Sequence, residues 1–282
     1  MGSETSVAKQ QDTTETEMIA DLEIPQDIVD EILDHLDTSS SFHHSLLSYS
    51  LVAKSWVTPC RRHLFGTIAF TGRKMDRWLK AFPVPEESPA PYVRDLSLSL
   101  EERYYVPYEF FKRIQRFSNV TKLTMSREGG NQSWWINPLV GLPQSVTSLT
   151  INEDSITVLR IRDIMLQLPN LNDLSLCGPI LMADRNLLRG IGKTLKAKFG
   201  GRLQLCNIGG RPATDAVNML LDVPTGLHFT EMSIDNWTQS LASAVKLTEA
   251  CGITLVRLSY WADGQGNSHL FPLSRYALHV KR

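Results

Sequence analysis

Apolar and polar positions alternate along this chain in two rhythms, and the change from one to the other divides it. Near the front, Ile28, Val29, Ile32, Leu33 and Leu36 fall within an arc of roughly 140° at about 100° per residue, which predicts one apolar face of a helix. Pro25 stands where a first helical turn tolerates a missing N–H, and Asp27 where a carboxylate meets the positive end of the helix dipole. After a polar break at 37–41, a second helical pattern over 45–57 places Leu46, Leu47, Tyr49, Leu51, Val52, Ala53, Trp56 and Val57 almost all the way round. Such a helix needs cover on every side, and a segment of about 45 residues cannot supply it, so another surface is expected to pack there.

Downstream the period shortens to two. Strand-like segments centre on Leu96, Leu123, Leu149, Leu174, Leu203, Met232 and Leu258, at spacings of 27, 26, 25, 29, 29 and 26 residues. Alternation within each predicts a strand with one buried face. Helical stretches are expected between them at 110–117, 161–168, 186–198, 213–221 and 240–250. A strand and a helix every 20 to 29 residues is the pattern of a leucine-rich-repeat solenoid, whose units bury their apolar faces only against one another. The expected fold is α/β: a helical module at 21–70, a linker or cap at 71–92, and a solenoid over 93–282 with a parallel sheet of about seven strands. Residues 1–20, with four acids and one lysine, are expected to be a disordered tail.

Composition narrows the function. The apolar share of 42% and charged share of 21% suit a globular protein, and 29 Lys and Arg against 30 Asp and Glu leave a formal charge of −1. No net pull toward a polyanion exists, so neither nucleic acid nor an anionic membrane is an expected partner. Cys60, Cys177, Cys206 and Cys251 form no C-x-x-C pair, which removes the usual zinc and dithiol spacings. They are expected to be buried thiols in a reducing compartment, cytoplasm or nucleus, because the sequence has neither a spanning apolar run nor the apolar core of a signal peptide.

The segments Ile24-Pro25-Gln26-Asp27-Ile28, Leu51-Val52-Ala53-Lys54-Ser55-Trp56 and Arg61-Arg62-His63-Leu64-Phe65 resemble an F-box over roughly 44 positions, in the manner of fungal F-box proteins that continue into leucine-rich repeats. Ile24 stands for the usual Leu, Ala53 for a frequent Cys, and about five residues around 40–44 lengthen the first loop. The resemblance implies a substrate-recognition adaptor of an SCF-type cullin-RING ubiquitin ligase, docking the Skp adaptor, and through it a cullin, while the repeats hold an unknown client protein. It assigns Pro25, Ile28, Ile32, Leu33, Leu36, Leu47, Leu51, Val52 and Trp56 to forming or supporting the adaptor-facing surface, some of them filling the module's own core. The alternative is a leucine-rich-repeat scaffold whose F-box-like segment only caps the repeats.

No catalytic constellation, cofactor motif or metal site emerges, so the chain is read as no enzyme. Leu187 to Thr194 ends like a phosphate loop but has Leu for the first Gly and falls in an expected helix; Cys60 and His63 have no acid in sequence to orient the imidazole; His43 and His44 have no third ligand nearby. Residues flanking each central apolar position should face outward. Asp95, Lys122, Thr124, Asp173, Arg202, Glu231 and Arg257 are therefore the candidate client-binding residues, with Trp134, Trp135, Trp237 and Trp261 as possible anchors or local core fillers.

Overall fold

The structure, a computed structural model, describes residues 24–36, 42–101, 114, 116–128, 143–152, 156–178, 180–181, 191–195, 199–206, 210–235 and 241–261. The expected tail at 1–20 and the expected helix at 110–117, save Ile114, Arg116 and Phe117, lie outside them. The chain divides into two compact units, with the boundary between His63 and Leu64.

The first unit begins with α1 (Gln26–Leu36), where the carbonyl of Pro25 accepts from the amides of Ile28 and Val29. The second pattern is not one helix. It breaks into α2 (Phe42–Tyr49) and α3 (Lys54–Phe65) around a turn at 50–53. There the amides of Leu51 and Val52 reach back only three residues, to Ser48 and Tyr49, and the Ser50 hydroxyl donates to the Leu47 carbonyl at 2.7 Å. The apolar residues expected around one helix therefore belong to two elements and the turn between them. The α3 helix runs through Pro59, whose missing N–H removes one rung of its ladder.

The second unit is built on one all-parallel sheet. Its eight strands are β1 (Thr67–Thr71), β2 (Asp95–Glu101), β3 (Lys122–Glu128), β4 (Ser148–Asn152), β6 (Asp173–Cys177), β8 (Arg202–Cys206), β9 (Glu231–Asp235) and β10 (Arg257–Trp261), ordered as in sequence. Two short strands, β5 (Ile156–Thr157) and β7 (Ile180–Leu181), pair separately. All seven sequence-expected strands form. The eighth, β1, falls mostly in the stretch expected to end the helical module, yet Ile68 lies 28 residues before its register partner Leu96 and continues the spacing. Residues 71–92, read as linker or cap, carry α4 (Gly72–Ala81) and two 3-10 turns.

Register aligns Ile68, Leu96, Leu123, Leu149, Leu174, Leu203, Met232 and Leu258 in one row, and Phe70, Leu98, Met125, Ile151, Leu176, Leu205 and Ile234 in a second. Both rows join one core with Met75 and Leu79 of α4, Ile161, Ile164 and Met165 of α5 (Val158–Gln167), Val217 and Leu220 of α6 (Gly210–Leu221), and Leu247 of α7 (Leu241–Ala250). The expected helix at 186–198 is described only at 191–195, where Ile191–Thr194 is a 3-10 turn. At the first edge Trp78 lies 5.4 Å from Phe70 and 4.8 Å from Phe82, ring centre to ring centre, and packs edge-on against Phe65.

Within the second unit, polar residues ahead of several strands reach back to the segment ahead of the preceding strand. Asn119 Nδ2 donates to the Pro91 carbonyl, Ser145 Oγ to that of Val120, Asn170 Nδ2 to that of Gln144 and Thr254 Oγ1 to that of Phe229, all across 25 to 28 residues of sequence. The strand spacing of 25 to 29 residues thus recurs in hydrogen bonds as well as in apolar rows.

Candidate protein-interaction surfaces

The helical unit leaves several large apolar side chains exposed beside its small core. Around α1, Ile28, Ile32 and Leu36 occupy about 80° of arc, Val29 and Leu33 the next, and Asp30 and Asp34 lie beyond them. Val29 and Leu33 are fully buried. The carboxylates of Asp30 and Asp34 meet Arg62 of α3 at 3.6 Å and His63 at 3.2 Å. Core and α3 therefore occupy one side of α1 and leave Ile28, Ile32 and Leu36 exposed, Ile28 at 45%. In α2, Leu46 is the residue turned inward, while Leu47 is 57% exposed; in the turn after it Leu51 is 86% and Val52 65% exposed.

Of the nine residues assigned to forming or supporting the adaptor-facing surface, Leu33 is one that lies in the core. It stands four residues after Val29, on the same inner stripe, and fills the unit's own core. Trp56 is half-buried, its ring 6.0 Å from that of Tyr49. Pro25 is exposed and serves α1 through its carbonyl.

The outer face of the sheet is polar. Its first row holds Asp95, Lys122, Ser148, Asp173, Arg202, Glu231 and Arg257, and its middle row Ser97, Thr124, Thr150, Ser175, Gln204, Ser233 and Ser259. The charged candidates engage one another. Lys122 lies 3.3 Å from Asp95, Arg202 3.0 Å from Glu231, and Arg257 3.4 Å from the same Glu231. Three carboxylates against three cations cancel, so this row attracts neither sign at long range. Exposed pairs of this kind are worth about 0–1 kcal/mol each, little enough for a docking partner to exchange them.

Asp173 has an internal task. Its carboxylate accepts from the Arg202 amide at 2.8 Å, and Asn172 Oδ1 accepts from the Gly200 amide at 2.8 Å. These side chains replace the first rung between β6 and β8, which hold four residue pairs in register against five in the flanking junctions. Thr124 is half-buried in the middle row. Trp134, Trp135 and Trp237 lie outside the described residues, as does the side chain of Trp261.

Two of the four cysteines depart from the expectation of burial. Cys60 and Cys251 are buried, and loss of hydration raises the pKa of both thiols, that of Cys251 to about 11. A raised thiol pKa is the reverse of what a nucleophile needs. His63 does have an acid, Asp34, supplied by α1 through the tertiary fold, but Cys60 beside it is buried. Cys177 and Cys206, by contrast, are partly exposed on the outer face. Each stands three residues past a central leucine, Leu174 or Leu203, so the alternation itself marked them as outward-facing.

Of the phosphate-loop-like segment, Lys193 and Thr194 are exposed in the 3-10 turn, and 187–190 lie outside the described residues, as do the side chains of His43 and His44. Among the described residues there is no group of three or more metal-ligating side chains and no helix long and apolar enough to cross a membrane. No protein-family model matches the chain, and no curated protein matches it either.

Proposed function

We propose that this chain is the substrate-recognition adaptor of an SCF-type cullin-RING ubiquitin ligase, working in cytoplasm or nucleus without a catalytic centre of its own. Its N-terminal helical unit acts as the F-box, docking the Skp adaptor and through it the cullin. The parallel sheet acts as a leucine-rich-repeat platform whose outer face holds a client protein. The observation that carries this reading is the exposure of Ile28, Ile32, Leu36, Leu47, Leu51 and Val52 on a unit whose Val29, Leu33 and Leu46 are fully buried, within the segment that resembles an F-box. Covering an apolar side chain of this size is worth about 1.5–3 kcal/mol when complete, so a few of them offset the cost of immobilising two partners. Holding a client lysine near a charged conjugating enzyme then replaces a bimolecular encounter by a local one.

A pull-down of the purified chain with the Skp adaptor tests the reading. Wild type should bind; Leu51→Asp should abolish binding while leaving the thermal unfolding midpoint in place, and Pro25→Ala and Trp56→Ala should weaken it. Failure of the folded wild type to bind would overturn the ligase role and leave a repeat scaffold with an F-box-like cap.

A further inference from the structure

We infer that Cys177 and Cys206 form a reversible disulfide-modification site on the outer face of the sheet, closed by a hydroperoxide. The two residues are register partners at the C-terminal ends of the adjacent parallel strands β6 and β8. Register partners on neighbouring strands lie about 4.8 Å apart, within the span of about 4.4–6.8 Å between Cα atoms that a disulfide bridges. Period-two alternation puts both side chains on the same face, and both are partly exposed. Their sulfurs share a small polar cluster: Gln204 Nε2 donates to Cys206 Sγ at 3.2 Å, Ser175 Oγ lies 3.7 Å from Cys177 Sγ, and Ser175 donates to Gln204 Oε1 at 3.3 Å. Cys60 and Cys251, buried in separate units, have no comparable access.

A second feature gives the bond something to do. The β6–β8 junction lacks the first of its in-register pairs, and the side chains of Asn172 and Asp173 clamp that end. The cysteines stand at the opposite end, the last pair in the junction. Linking them fastens the junction with the fewest pairs among the strands that flank it. Gly178, at φ 111°, follows Cys177, and its amide donates to the Cys206 carbonyl at 2.9 Å, which holds the two cysteine-bearing strand ends side by side.

In the reaction one thiolate attacks a peroxide oxygen and breaks the O–O bond, giving a sulfenic acid and a hydroxide that takes up a proton as water. The second sulfur then attacks the first and expels the hydroxyl, which leaves as water with the second thiol's proton. Two thiols lose two electrons and two protons, and hydrogen peroxide becomes two waters.

The test uses the whole folded chain. Wild type is treated with a small excess of hydrogen peroxide, remaining thiols are alkylated, and unreduced digests are mapped by mass spectrometry beside thermal melts. Two of the four thiols should disappear. A peptide pair joining Cys177 to Cys206 should appear, the melting midpoint should rise by about 5 °C, and dithiothreitol should reverse both changes. Cys177→Ser and Cys206→Ser should each abolish the linked peptide and the shift; should either fail to fold, the wild-type map decides alone. Retention of all four thiols, overoxidation of either residue without a linked peptide, a bond to Cys60 or Cys251, or a bond between two chains would overturn the inference.

Discussion

Gly201 shows how a single residue can be required by side chains far away in sequence. A Cβ there would fall on Asp173 Oδ1 and stand 2.6 Å from Asn172 Nδ2, the groups that clamp the β6–β8 junction. Gly201→Ala is expected to expel the Asp173 carboxylate from the Arg202 amide and cost about 1–3 kcal/mol, the range for losing a charge-assisted hydrogen bond, read as a lower urea midpoint. Cys251 makes a different prediction. Its thiol titrates near 9.0 when unfolded and near 11 when folded, because burial penalises the thiolate. The folded state therefore holds the proton longer. Its contribution to stability is complete below pH 9 and is lost as the pH rises through 11, so the urea midpoint should fall across that window and fall less in Cys251→Ala. In sequence Asp173 is marked only as an outward-facing client-binding candidate and Gly201 only as half of a Gly-Gly pair, and nothing local couples the two.

At the scale of the element, α1 separates two kinds of apolar residue that the sequence presents alike. Leu33 is fully buried and Ile32 beside it is exposed. Leu33→Ala should destabilise the helical unit by about 2–5 kcal/mol, whereas Ile32→Ser should cost clearly less stability and act chiefly on partner binding. The arc of roughly 140° is correct as periodicity, but which edge of it faces inward depends on where α3 places Arg62 and His63. The same limit explains the false single helix over 45–57: its residues are compatible with helix throughout, and the break rests on tightened hydrogen bonds at Leu51 and Val52. In α5, Thr157 caps the N-terminus by accepting from the Arg160 amide at 3.4 Å. Thr157→Ala should cost about 0.5–1 kcal/mol, measurable by chemical denaturation.

Over the whole molecule, the sheet of the second unit behaves as a stack in which each strand needs the next. Leu174 sits in the middle of a continuous apolar row. Leu174→Ala should lower stability by about 2–5 kcal/mol, and hydrogen exchange should show faster opening on both β4 and β8 as well as on β6, because each neighbour loses a packing partner. The alternation, the period and hence the buried face of each of the seven expected strands are legible in the amino-acid sequence alone, since a slip of one residue would turn every apolar side chain outward. The sequence also marked the F-box-like segment and the outward frame that holds Asp95, Lys122, Arg202, Glu231 and Arg257. Only tertiary structure decided that β1 joins the sheet, that Leu33 turns inward while Leu51 does not, that the outward charges neutralise one another, and that Cys177 meets Cys206. Periodicity is a local property of the chain, carried by a few residues on either side. Burial, pairing and charge balance are settled by whatever the fold brings from 25 or more residues away, and that information resides in no single segment.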